Sequence, residues 1–435
     1  MDKPLSASVE DAMKNISVTL LAVAVGCAFF QPVRAAEGAR FKEKVVWSFG
    51  SGTDGQYPAA GLTDENGTLY GTTTFGGAQD EGTVFSVDPG TGTETVLHSF
   101  CTKRHRYCLD GAVPLAALIN VGGKLFGTTD GGGADCQVGP PCGGTVFSLN
   151  PVTGKEKLYY SFCGHPDRCM GDGYFVTASL LDVGGVLYGT TDEGGDNDFG
   201  VAFSIDLETG AEKRLHSFCS EPHCTDGRNS GNGLVAVNGT LYGTTVAGGA
   251  NYAACENAGC GVIYALDPGT ASETVVYSFL GGANDGWGPE GNLILENGLL
   301  YGVTEAGGRE GCNFPIGCGT VFSFDPGMGA EKILYSFCQA ENCADGALPI
   351  AGLVAANGKL YGTTISGGAN GHGAVFSVDP ATGAETVLYS FCRKQNCKDG
   401  SAPESSLINL NGMLYGTTKE GGAYGKGVVF ALPLP

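Results

Sequence analysis

Seven copies of one motif predict an all-β fold: a seven-bladed β-propeller with four antiparallel strands per blade. Each copy reads leucine, aromatic, glycine, then two hydroxyl or β-branched residues and a downstream Gly-Gly. The aromatics are Tyr70, Phe126, Tyr188, Tyr242, Tyr301, Tyr361 and Tyr415, so the copies recur every 54 to 62 residues, one supersecondary unit each. Turn signals fall at matching places in every unit, and the two chain ends complement each other as a closed ring requires.

Each unit divides into four strands. Strand a is a small-residue run such as Ala59-Ala60-Gly61-Leu62 ending at a turn like Asn66-Gly67, the strongest short hairpin signal. Strand b is Leu69 to Thr73. Strand c, Thr83 to Val87, alternates apolar residues as a half-buried strand does and stops at Asp88-Pro89-Gly90-Thr91-Gly92, where proline presets one turn angle and glycine permits a positive one. Strand d, Glu94 to Phe100, is β-branched and aromatic. Residues 44 to 49 match strand d, whereas the last copy stops after strand c at Val428-Val429-Phe430. The N-terminal strand is therefore expected to complete the last blade and remove the open sheet edges.

The units resemble the GloVer-type tandem repeat of exported bacterial proteins over residues 41 to 433, and their pattern of GKLYG, Gly-Gly and VFSVDP is similar to that of kelch blades. The resemblance implies a propeller and export, and no particular activity.

The chain carries 45 acidic and 24 basic residues, a net charge of −21, which repels phosphate backbones and anionic lipid, so nucleic acid is not an expected partner. The 42% hydrophobic content and 74 glycines fit a soluble, turn-rich fold. The apolar run Ile16 to Phe30 is short for a membrane span and precedes Val33-Arg34-Ala35, so residues 1–35 read as a signal peptide cleaved after Ala35, with translation starting at Met13. Residues 36–435 then form one domain, a monomer without a membrane span, secreted, periplasmic or at the cell surface. Ala24 is a poor residue three places before Cys27, which argues against lipidation there.

The other sixteen cysteines fall into close pairs. Five follow strand d: Cys101/Cys108, Cys163/Cys169, Cys219/Cys224, Cys338/Cys343 and Cys392/Cys397. Three lie between strands b and c: Cys136/Cys142, Cys255/Cys260 and Cys312/Cys318. In an exported chain this pattern predicts eight local disulfides, each worth roughly 2 kcal/mol by loop entropy. Zinc is disfavoured because no histidine set accompanies the pairs. Strands alternate direction, so all these loops emerge on one decorated face, where recognition belongs.

An Asp-Gly step opens each unit at Asp54, Asp110, Asp172, Asp226, Asp285, Asp345 and Asp399. Seven carboxylates near a channel suggest a cation such as calcium. Seven identical positions fit better with aspartates bonding their own turns, so no cofactor and no metal is expected. The repeated glutamate of strand d (Glu43, Glu94, Glu156, Glu212, Glu273, Glu331, Glu385) reads as structural or solvated.

Of the histidines, His98 and His216 occupy a position held elsewhere by tyrosine or tryptophan, and His105, His165, His223 and His372 sit in loops of different blades. With no acid or nucleophile at fixed spacing this disfavours a histidine-based triad, and the lack of converging His and Tyr ligands and of a free cysteine disfavours a kelch-type copper oxidase.

The unlike residues of the decorated face remain as candidates. Tyr57, Tyr174, Phe175 and Trp287 follow Asp-Gly steps; Asp130, Asp192, Glu193, Glu305 and Glu420 end strand b; Glu290 and Glu404 begin strand a. Aromatics beside carboxylates suit a sugar, stacking on its apolar face and bonding its hydroxyls. Lys103, Arg104, His105 and Arg106 form a basic cluster that reads as a solvated loop. The expected function is a non-enzymatic binding or scaffold module for a glycan or protein partner. The alternative is a carbohydrate-active hydrolase or lyase using a carboxylate pair at the channel mouth.

Overall fold

The computed structural model describes residues 41–103, 108–133, 143–163, 171–253, 255–309 and 317–435. Within them the chain forms seven four-stranded antiparallel sheets arranged as the blades of a propeller. In the first blade the strands are Thr63–Glu65, Thr68–Thr73, Thr83–Val87 and Glu94–Ser99, strands a to d in turn. The ring closes as the chain ends predict. Lys44–Ser48 pairs with Val428–Pro433 and becomes strand d of the last blade.

The turns follow their chemistry. Asn66 and Gly67 both have positive φ (54° and 83°), the primed geometry that matches strand twist, and the equivalent turns at Asn238-Gly239 and Asn411-Gly412 do the same. Asp88 accepts backbone N–H bonds from Gly90 (2.7 Å) and Thr91 (3.0 Å), which holds its carboxyl below the usual range.

The repeated glycine of the motif has a steric cause. Gly71 sits opposite Phe85 of strand c, whose ring tip reaches over it; a Cβ there would come within 2.6 Å of Phe85 Cζ and 2.9 Å of Leu62. The same Phe or Tyr ring covers Gly127, Gly189, Gly243, Gly302, Gly362 and Gly416. Leu69 and its equivalents are buried, and each blade's apolar cluster runs into the next, as where Tyr70, Phe100, Leu125 and Phe147 pack together.

Strand a differs from expectation. The small-residue runs are not paired strands in most blades; they are extended segments preceding three-residue strands, and only the fifth blade has a continuous strand, Gly286–Glu296. Their backbones bond across to the preceding blade instead, as where Thr72 Oγ1 donates to Ala116 O (3.2 Å) and Thr417 Oγ1 to Ala60 O (3.1 Å).

Five predicted disulfides are present with both cysteines described, Cys101–Cys108, Cys219–Cys224, Cys255–Cys260, Cys338–Cys343 and Cys392–Cys397. Cys163 and Cys318 are also disulfide-bonded. Cys169, Cys312, Cys136 and Cys142 lie outside the described residues, as do the signal segment, Cys27, Arg104, His105, Arg106 and His165. The loops after strands b and d share one face: Gly249 N donates to Cys224 O and Gly422 N to Cys397 O, each at 2.9 Å.

Candidate functional site

The small-residue runs of the seven units line a central cavity of about 350 Å³. Small side chains are required where seven backbones converge. At the first position of the run, five units carry neutral residues and two carry Glu290 and Glu404, which line the cavity.

Above this ring stands the residue that ends strand b in each unit. Asp130, Asp192 and Glu305 are acidic, Lys419 is basic, and Thr74, Val246 and Ile365 are neutral. A backbone stitch positions them. Asp130 N donates to Val113 O and Asp192 N to Phe175 O, each at 3.0 Å, while Val113 N reaches back to Glu81 O of the preceding blade's loop (2.9 Å). The stitching residue adopts a left-handed backbone, φ 58° at Tyr57, Val113, Phe175 and Asn229.

The carboxyls interact. Burial, followed by repulsion from Glu305 and Asp192, pushes Glu290 up to about 8. Asp130 is raised to about 6 by burial and then by Asp192 and Glu193. Asp192 is raised by burial and Glu193, against a bond from Asn229, and Glu305 is raised by burial. Glu404 is set apart, because Lys419 Nζ bonds its Oε1 at 3.0 Å. Blades three and five thus set Asp192, Glu290 and Glu305 close enough to act on one another, Asp130 of blade two couples to Asp192, and the last blade contributes the Glu404–Lys419 ion pair.

The predicted aromatics are split. Tyr57 accepts a bond from Lys426 Nζ at its hydroxyl (2.6 Å), with Phe75 edge-on at 6.2 Å. Tyr174 donates to Asp198 (2.6 Å) and packs on Phe175 at 5.1 Å, while its strand residue stands opposite Glu193. Trp287 stands opposite Ala306 and packs on the buried cluster of Cys260, Ile263 and Phe279. Glu193 and Glu420 sit one residue beyond the mouth ring, where alternation turns them towards the loop pairs with Tyr174 and Ser401. Lys419, Lys426 and Asn229 escaped sequence reasoning; aligning the residue after each Thr-Thr pair would have found Lys419.

The Asp-Gly carboxylates are not at the channel. Asp172 is half-buried and the other six are buried, and they take donors from strand d and the loop after it: Asp345 accepts from Gln339 N (2.8 Å), Ala340 N (3.1 Å) and the Tyr335 hydroxyl (2.7 Å). Asp345, filled with donors, has little left for a cation and closes its loop, whereas Asp54 Oδ2 and Asp110 Oδ1 are buried without a hydrogen-bond partner. Asp172 and Asp285 also bond the N–H of their own glycines, as the turn chemistry predicts. His98 and His216 act as substitute tyrosines, each edge-on to the next Phe at 4.9 Å, as Tyr160 is to Phe162 at 4.8 Å. Lys103 of the basic cluster pairs with Glu156.

The sequence profile of the Gloeobacter/Verrucomicrobia repeat matches residues 37–255 and 224–430. No curated protein matches the chain. Among solved structures, an oligogalacturonate lyase in complex with manganese is similar at 12% identity and a TM-score of 0.50, over 88% of this chain and 89% of its own. An oligogalacturonate lyase from Vibrio parahaemolyticus is similar at 9% identity and a TM-score of 0.51, over 92% of this chain and 95% of its own. At such identities the likeness is one of fold.

Proposed function

The chain belongs to the Gloeobacter/Verrucomicrobia repeat family, and from that premise we propose that it is an exported, disulfide-stapled propeller that binds a glycan at its loop face without transforming it. The observation that carries this reading is the grouping of unlike side chains beside the cavity: Glu290 lines it and lies close enough to Glu305 and Asp192 to be repelled by both, and Asp192 in turn acts on Asp130. Carboxyls of raised pKa can both donate to and accept from sugar hydroxyls, while the Tyr57 ring is covered by Lys426 Nζ, 4.4 Å from its centroid, and Phe175 packs on Tyr174. The disulfides support an oxidising, extracytoplasmic compartment.

The test is a glycan array probed with the parent protein and with Glu290→Gln and Asp192→Asn. Binding by the parent that both variants weaken at least tenfold supports the reading. Absence of binding to any glycan, or binding indifferent to both variants, overturns it.

One observation favours the alternative of a carbohydrate-active hydrolase or lyase. Glu290 has the raised value of a general acid, and Asp192 and Glu305 stand close enough to contribute to it. Incubation with polysaccharides, following new reducing ends or unsaturated products, decides it: turnover lost in Glu290→Gln establishes the enzyme, and no turnover removes it.

A further inference from the structure

Each junction between blades contains a buried polar station that the channel does not use. It comprises the aromatic of one blade's strand d, the Asp of the Asp-Gly step that follows, and the strand-d glutamate of the next blade. At the junction of the fourth and fifth blades these are Tyr277, Asp285 and Glu331: the Tyr277 hydroxyl stands 2.9 Å from Asp285 Oδ2 and 3.4 Å from Glu331 Oε2. A phenol has one proton to donate. Asp285 already accepts from Leu280 N (2.7 Å) at one oxygen and Gly286 N (2.6 Å) at the other, so both of its oxygens act as acceptors. Glu331 has no such donors, and its Oε1 is buried without a partner. With one phenol proton, both contacts are hydrogen bonds only if Tyr277 donates to Asp285 and a protonated Glu331 Oε2 donates to the phenol oxygen. Unpartnered buried Oε1 atoms recur at Glu43, Glu94, Glu156, Glu273 and Glu385.

Two stations differ. Lys394 Nζ reaches Glu43 at 2.8 Å and Lys103 Nζ reaches Glu156 at 2.5 Å; both glutamate side chains are only 2% exposed. These lysines come from the cysteine loops, two residues beyond Cys392 and Cys101.

We propose that the stations are proton-loaded fasteners between blades. Where the aromatic is a tyrosine and no lysine is supplied, as at Glu212, Glu331 and Glu385, the glutamic acid is neutral and donates across the junction, and its ionisation at alkaline pH loosens that junction.

The surroundings support this. Burial and then Asp285 raise Glu331 to about 7, burial and then Asp345 raise Glu385 to about 8, and burial and then Asp172, opposed by Arg214 and Tyr160, raise Glu212 to about 7. Glu94 faces Asp54, and Glu273 faces His216, Asp226 and Glu221. Glu43 faces Lys394, Asp399 and Tyr389. A folded-state value above the ordinary 4.5 means that the native protein binds more protons than the unfolded chain; stability is full below about 4.5 and falls as pH rises through about 7 to 8.

Ala340 occupies in its unit the place of Lys394: Ala340 N donates to Asp345 Oδ1 at 3.1 Å and Lys394 N to Asp399 Oδ1 at 3.0 Å. Urea unfolding of the parent, Ala340→Lys, Glu331→Gln and Lys394→Ala between about pH 5 and about pH 9 tests the proposal. The expected result is that stability falls with pH in the parent, that the fall is reduced by about one proton in Ala340→Lys and in Glu331→Gln, and that it steepens in Lys394→Ala. The infrared carbonyl band of protonated carboxyls should be present at neutral pH and weaker in Glu331→Gln. Glu331→Gln is nearly isosteric, so it remains informative if Ala340→Lys does not fold. An unaltered pH slope in Glu331→Gln, or an undiminished band, overturns the proposal.

Discussion

Lys394 reaches across 351 residues of sequence to set its Nζ 2.8 Å from Oε2 of Glu43, tying the sixth blade to the strand that completes the seventh. The seventh blade takes its strand d from the N-terminal segment, the one strand d not joined in sequence to the rest of its own blade. A lysine is present where fraying would open the ring.

Removing the closing strand should therefore do more than delete one strand. A chain lacking residues 1–48 leaves the buried strand Val428–Pro433 as an open edge. We expect loss of a single cooperative thermal transition and self-association on size-exclusion chromatography; a monomer with the parent's transition would contradict closure by this strand.

Gly302 is opposite Phe322, where a Cβ would lie 2.6 Å from the ring and 2.8 Å from Leu293. Gly302→Ala should destabilise by about 1–3 kcal/mol through overpacking. Urea denaturation measures it, and a neutral effect would mean that the ring moves aside freely.

Asp345→Ala leaves the N–H groups of Gln339 and Ala340 and the Tyr335 hydroxyl without their acceptor. An orphaned buried donor costs about 1–3 kcal/mol, so the expected loss is at least about 2 kcal/mol, with Asp345→Asn losing less. Because the carboxylate is occupied by these donors, adding calcium or a chelator should leave the melting temperature of the parent unchanged; a calcium-dependent rise would restore the cation site.

Glu290, raised to about 8, carries its proton at neutral pH. Glycan binding that uses it as a donor should hold below about pH 8 and decline above it, while Glu290→Gln should bind with no such decline. Titration calorimetry across that window measures the difference.

The blade count, the closure and the strand c and d boundaries were legible because each repeats seven times with turn chemistry at fixed offsets. Strand a was misjudged because Ala59-Ala60-Gly61-Leu62 reads as a strand locally, while its pairing partners at the ring centre are other blades' segments. The disulfides were legible from paired gain and loss. The candidate site was legible only in part. Glu290 and Glu404 stood out as departures from a small-residue pattern, but nothing in sequence indicated that Lys419 would pair with Glu404, or that Trp287 would turn into the packing beside Phe279. Those outcomes depend on side-chain direction at the meeting of two blades.

Sequence alone determined the architecture, because hydrogen-bonded turns, alternation and the glycine beneath each strand-c ring are local demands that each unit must meet by itself. Tertiary structure decided what the polar residues do. The Asp-Gly aspartates and strand-d glutamates lie 40 to 47 residues apart in the chain at six junctions and 356 apart at the closing one, yet they meet because closing the ring stacks each outer strand on its neighbour. Burial there, and crowding at the channel mouth, sets which carboxyls are charged.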